Sequence, residues 1–214
     1  MTPVQIAEAA RRRYNATSDT FWSDDELYQL IYDAQLQIAR ECFLIERTYT
    51  SPTVSGTQEY DFPTNAMAIK RATWNGIKLK PITMREDDAV TGLNQSTTAT
   101  GTPQYYWTWN YTISLRPIPG SAQTLKLWTY NLPSAVSSTS TLETPAEFHM
   151  ELVNYVVQCM AEKDSNFKAS AFYAQKWAKA MSDLKKWAKQ RKRTDGFATV
   201  QDENQLVESY LGTI

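Results

Sequence analysis

Gly101-Thr102-Pro103-Gln104-Tyr105-Tyr106-Trp107-Thr108-Trp109-Asn110-Tyr111-Thr112-Ile113-Ser114-Leu115-Arg116-Pro117-Ile118-Pro119-Gly120 decides the fold class. A Gly-Thr-Pro lead-in gives way to aromatic residues, Asn110 marks a turn, and Ile113 and Leu115 alternate with polar neighbours. Pro117-Ile118-Pro119-Gly120 ends the run. Aromatic and β-branched residues at period two, bounded by Pro and Gly, read as paired strands. The next run, Thr124-Leu125-Lys126-Leu127-Trp128-Thr129-Tyr130, alternates again and stops at Asn131-Leu132-Pro133. Long helical patterns lie on both sides, so the chain is expected to be α+β: a helical bundle with an inserted antiparallel β domain.

Upstream, Ser23-Asp24-Asp25-Glu26 is a helix start: Ser23 caps, Glu26 reaches back, and the acids suit the positive helix end. Leu27, Leu30, Ile31, Ala34, Ile38, Cys42 and Ile45 then recur at three- and four-residue steps, which predicts a helix over 24–46. A shorter helix is expected from Pro3 to Arg13, with Arg11-Arg12-Arg13 as a solvated end. From Thr48 the period changes. Tyr49-Thr50-Ser51 and Glu59-Tyr60-Asp61-Phe62 flank a Ser55-Gly56 turn. Asn75-Gly76, set between two alternating runs, is a strong hairpin signal because both turn positions need positive φ. Residues 83–92 read as a short polar helix or loop.

Downstream, Thr144-Pro145-Ala146-Glu147 repeats the start grammar of cap, proline and acid. Phe148, Leu152, Tyr155, Val156, Cys159 and Met160 form the stripe behind it, and Lys163-Asp164-Ser165-Asn166 breaks the helix. A last helix, about Phe167 to Lys192, makes an antiparallel hairpin with it. The expected division is a helical domain of 1–47 with 142–193, a β domain of 48–141, and a C-terminal arm of 194–214. Between Lys163 and Arg193 ten basic residues face only Asp164 and Asp183, a local excess of +8, while the arm beyond holds Asp195, Asp202, Glu203 and Glu208 and no base. The candidate partner-binding residues are therefore Lys185, Lys189, Arg191, Lys192 and Arg193 on the helix, with Leu206, Val207, Tyr210, Leu211 and Ile214 on the arm. The arm is expected to order itself on a partner.

The bulk chemistry excludes more than it assigns. A net charge of −1 and a pI near 5.9 give no general attraction to nucleic acid or anionic membranes. No apolar run approaches the ~20 residues of a membrane helix, and the N-terminus lacks the form of a signal peptide. The lone histidine, His149, reads as a partly exposed helical residue. With Cys42 and Cys159 it makes neither a zinc set nor a triad. Asp87-Asp88 reads as a solvated turn, and the seven glycines form no phosphate loop. Neither an enzyme nor a bound cofactor or metal is expected. Strand alternation would put Tyr105, Trp107, Trp109 and Tyr111 on one face, suited to core or interface, or to stacking on sugars.

The order of these parts resembles the phage head-to-tail adaptor (connector) proteins. The matching segments are Phe21-Trp22-Ser23-Asp24-Asp25-Glu26-Leu27, Gly56-Thr57-Gln58-Glu59-Tyr60-Asp61-Phe62-Pro63 and Ile69-Lys70-Arg71-Ala72-Thr73-Trp74-Asn75-Gly76 with Leu79-Lys80-Pro81-Ile82. They continue with Gly101-Thr102-Pro103-Gln104-Tyr105-Tyr106, Ile113-Ser114-Leu115-Arg116-Pro117-Ile118-Pro119 and Leu142-Glu143-Thr144-Pro145-Ala146-Glu147-Phe148-His149. The resemblance implies a non-enzymatic virion protein, made in the host cytoplasm, that docks on the portal as a ring of about twelve copies. Its implied partners are the portal protein, other copies of itself, tail nozzle or tail-fibre proteins, and genomic DNA passing without sequence-specific contact, with no membrane. The alternative is a glycan-binding host-recognition module using the aromatic β face, and a third reading is nucleic-acid binding through helix 168–193.

Overall fold

The computed structural model describes residues 1–17, 21–91 and 99–194. The chain divides into two compact units: Met1–Leu44 with the chain from Ser134 onward, and Ile45–Pro133. The first is helical and the second is built of mainly antiparallel strands, an α+β fold.

In the helical unit, α1 (Pro3–Tyr14) starts from a Thr2/Gln5 capping box and α2 (Asp24–Cys42) from the Ser23 cap, whose side chain accepts from the Glu26 amide. α2 ends earlier than its apolar stripe, because Phe43 turns left-handed at φ 51°. Ile45 continues the period in sequence but is buried in the second unit. The start at Thr144 also differs from its grammar. Pro145 is extended, residues Ala146–Phe148 form a 3-10 turn, and α4 runs His149–Lys163. The Thr144 hydroxyl makes no cap and is buried without a hydrogen-bond partner. Ser165 turns left-handed at φ 58°. Asn166 then accepts from the Ala169 amide at 3.2 Å as α5 (Phe167–Thr194) begins.

One core joins these helices: Ile6 and Ala10 of α1, Leu27, Ile31 and Ile38 of α2, Leu152 and Val156 of α4, and Trp177, Met181 and Leu184 of α5. The basic end of α1 is not a solvated tip. Arg11 donates to the Trp22 carbonyl at 2.6 Å and to Asp24 at 2.7 Å, and Arg13 donates to Asn154 at 2.6 Å. Two of the three arginines thus tie α1 to its neighbours.

In the second unit, β1 (Glu46–Pro52), β10 (Thr124–Asn131), β3 (Ala66–Trp74) and β4 (Ile77–Lys78) form one sheet in that order. β2 (Glu59–Asp61), β8 (Thr112–Arg116), β7 (Tyr105–Trp109) and β5 (Lys80–Pro81) form the other, and β6 (Thr100–Gly101) pairs with β9 (Ile118–Pro119). Two short pairings, β5 with β7 and β6 with β9, are parallel. The alternation of β10 turns Leu125 and Leu127 inward to meet Ala72, Trp74, Tyr106, Ile113 and Leu115. α3 (Met84–Thr91) covers the polar segment.

The aromatic run divides differently from its alternation. Tyr106 and Trp107 are both buried, whereas Trp109 is 65% and Tyr111 83% exposed. Tyr111 stands in the turn, not on the strand, with Asn110 and Tyr111 both left-handed at φ 43° and 60°. The Asn75-Gly76 turn has the same form, at φ 48° and 79°, and joins Trp74 to its partner Ile77. Open space surrounds Gly76, so backbone conformation rather than packing demands the glycine. Gly76→Val is expected to lower the stability of the β unit by ~1 kcal/mol or more. Chemical denaturation measures it, and an unchanged midpoint would show the turn tolerant of a β-branched residue.

Candidate functional site

The C-terminal half of α5 is where charge accumulates. Trp177, Ala180, Met181, Leu184 and Ala188 face the helical core, and the indole of Trp177 donates to Gln37 at 3.0 Å. The anchored face fixes the rest of the helix outward, as an amphipathic stripe requires. Lys189 and Arg191 are exposed, with Arg191 over the Trp187 ring at 5.7 Å. Lys192 and Arg193 belong to the last turn of α5, but their side chains lie outside the described residues. Leu206, Val207, Tyr210, Leu211 and Ile214 also lie outside them.

Lys185 is not free to meet a partner as the local charge count suggests. It pairs with Glu41 of α2 at 2.6 Å. Hydrogen bonding to Lys185 and then to Gln37 holds the Glu41 carboxyl below its ordinary pKa, and the same contact raises Lys185. Lys163 pairs likewise with Glu26 at 2.7 Å, and Lys186 with Asp183 at 3.6 Å. The excess on α5 is thus partly answered from α2, and its exposed part includes Lys176, Lys179, Lys189 and Arg191.

An open groove of about 570 Å³ runs along α1, α4 and the middle of α5. Arg13, Lys176 and Lys179 line it with Glu151, Asn154 and Asp183. Sequence reading counted Lys176, Lys179 and Asp183 in the charge of the helix without assigning them to a site, although they fall on one helical face at i, i+3 and i+7. A smaller hollow of about 180 Å³ lies beneath the β7–β8 tip, between Phe62, Ala66 and Met67 on one side and Trp109 and Tyr111 on the other. Its lining carries no charged side chain.

His149 and Asp87 are buried and Cys159 is half-buried. His149 is buried, not partly exposed: its Nε2 lies 3.0 Å from the Thr144 carbonyl and its Nδ1 2.8 Å from the Met1 amino group. A carbonyl only accepts, so Nε2 carries the proton and Nδ1 accepts. Burial first, and the neighbouring amino group as well, push its pKa down, against the Thr144 hydrogen bond. Burial pushes the Cys159 thiol up to about 11 and the Tyr155 hydroxyl up to about 12. A thiol held protonated at neutral pH is a poor nucleophile. Asp87, read as solvated, is buried and paired with Arg116. Among the described residues no cluster of His, Cys, Asp or Glu is arranged to hold a metal ion, and no helix is long and apolar enough to cross a membrane.

A family model described as SU10 adaptor protein matches residues 1–201. No curated protein matches the chain.

Proposed function

Because the chain belongs to the SU10 adaptor protein family, a family of phage adaptor proteins with a structural role in the virion, we propose that it docks on the portal as a head-to-tail adaptor. In this reading it closes into a ring of about twelve copies, joins the portal to the tail nozzle or tail fibres, and lets genomic DNA pass without sequence-specific contact. The observation that carries it is the family match over nearly the whole chain. The surface that supports it best is the exposed basic end of α5, at Lys189 and Arg191, continued by Lys192, Arg193 and the arm. Lys185 contributes less because Glu41 already holds it. The apolar residues Leu206, Val207, Tyr210, Leu211 and Ile214 would be buried at the same contact, offsetting the entropy of ordering the arm.

Electron microscopy of the purified protein mixed with its portal tests this directly. Rings seated on the portal are expected, and they should be lost in Lys189→Glu with Arg191→Glu. Occupancy should also fall as salt is raised, because exposed charges are screened over about 8 Å at physiological ionic strength. A portal that stays bare would overturn the proposal. Rings indifferent both to salt and to the charge reversal would remove α5 from the contact.

A further inference from the structure

The edges of the two four-stranded sheets are not alike. β4, β2 and β5 close three of them with only two or three residues each, whereas β1 holds the fourth with seven. Short edges leave little to pair with, one of the ways proteins keep sheets from joining edge to edge. The middle of β1 carries none of the other guards. Its seven partners on β10 follow without a register shift, whereas the β10–β3 ladder shifts twice. Its charged residues, Glu46 and Arg47, stand at the first two positions, and Glu46 is turned to Lys70 at 2.8 Å. Its proline, Pro52, comes last. We infer that the outer edge of β1 is a pairing surface for a second copy of this chain, β1 against β1, antiparallel.

The ladder with β10 fixes which backbone groups face outward. The Ile45 carbonyl accepts from Asn131 at 2.8 Å and the Thr53 amide donates to Gln123 at 2.7 Å, so the odd-numbered residues bond to β10. Antiparallel alternation then turns the amides and carbonyls of Glu46, Thr48 and Thr50 outward, with the Pro52 carbonyl. Thr48 and Thr50 are exposed, and among the described residues no strand pairs beyond them. A second β1 presents the same outward set, so the edge is complementary to itself. Centred on Tyr49, the pair sets Thr48 against Thr50 in both directions, Glu46 against Pro52 and Arg47 against Ser51. No like charges stand opposite, and facing threonines support a cross-strand pair. Centring it on Glu46 or Arg47 would oppose like charges, and centring it on Thr50 would set Thr48 against a residue without an amide hydrogen. An isologous contact of this kind closes on two copies. It therefore belongs to the unassembled chain, and it stands whether or not the ring on the portal does.

Sedimentation equilibrium of the full-length protein, without portal, tests the pairing. The mass is expected to rise with concentration from one chain towards two. Thr48→Pro with Thr50→Pro removes two outward amides from each copy and no bond to β10. It should weaken the dimer at least about tenfold, the loss of several net hydrogen bonds, at a nearly unchanged melting temperature. Should the proline variant melt early, Thr48→Lys with Thr50→Lys reads the same contact. It keeps every amide, sets lysine against lysine, and is expected to leave single chains at all concentrations. An unmutated chain that stays single at its highest soluble concentration, or a dimer that survives the lysine variant, would overturn the proposal. Protection of the Thr48 and Thr50 amides that arises only when portal is added would give the edge to a foreign strand and overturn the pairing with itself.

Discussion

Asp87→Ala is expected to destabilise the β unit by about 3–5 kcal/mol, the range for removing one member of a buried ion pair. Arg116 grips Asp87 with both ends of its guanidinium: Nε donates to Oδ1 at 3.0 Å and the terminal nitrogen to Oδ2 at 2.8 Å. The two side chains are only 12% and 7% exposed, so water cannot replace the lost carboxylate. The Trp107 ring lies 5.7 Å from the guanidinium. Removing both charges, as in Asp87→Ala with Arg116→Met, should recover much of the loss, because the pair itself pays a desolvation cost. Denaturation followed through the β10 amides measures both variants. A loss below about 1 kcal/mol for Asp87→Ala, typical of a solvated pair, would show that the pair is not sealed from water.

Ile31→Ala should cost the helical unit about 2–5 kcal/mol, the range for deleting a buried aliphatic side chain that leaves a cavity. Ile31 is fully buried at the middle of the α2 stripe, in one core with Ile6, Leu152 and Leu184. The helix itself is not at risk, since alanine is the best helix former. The loss therefore reports packing alone. Exchange of the α4 amides under mild denaturant reads it. Stability unchanged within about 0.5 kcal/mol, the range of ordinary surface substitutions, would mean that α2 does not hold this core together.

What the sequence revealed was local. The stripe of Leu27, Ile31, Ala34, Ile38 and Cys42 and the cap at Ser23 lie within a few residues of what they control, and the structure carries them as read, except that the Glu26 carboxylate turns to Lys163 instead of reaching back to Ser23. The same holds for Asn75-Gly76 and for the break at Ser165. The stripe ran past the end of α2 to Ile45 because apolar period says nothing of a left-handed Phe43. Thr144 failed as a cap because its carbonyl serves His149 while Pro145 stays extended. The least legible features join distant parts of the chain. Asp87 finds Arg116 in a strand, and Lys185 finds Glu41 across most of the sequence. The charge excess on α5 was visible, but not which of its lysines were already answered.

The pairing of β1 with β10 has a further consequence. Chain entry and exit lie side by side: Glu46 is in register with Tyr130, and the Asn131 amide donates to the Ile45 carbonyl at 2.8 Å. Residues 45–133 are thus a closed excursion whose two ends meet in one ladder. Closure entropy rises only slowly with loop length, and here the excursion supplies its own closure by folding. To the helices, the insertion is equivalent to a short bridge from Leu44 to Ser134. Lengthening a hairpin within it is therefore expected to leave the bridge between Leu44 and Ser134 unchanged.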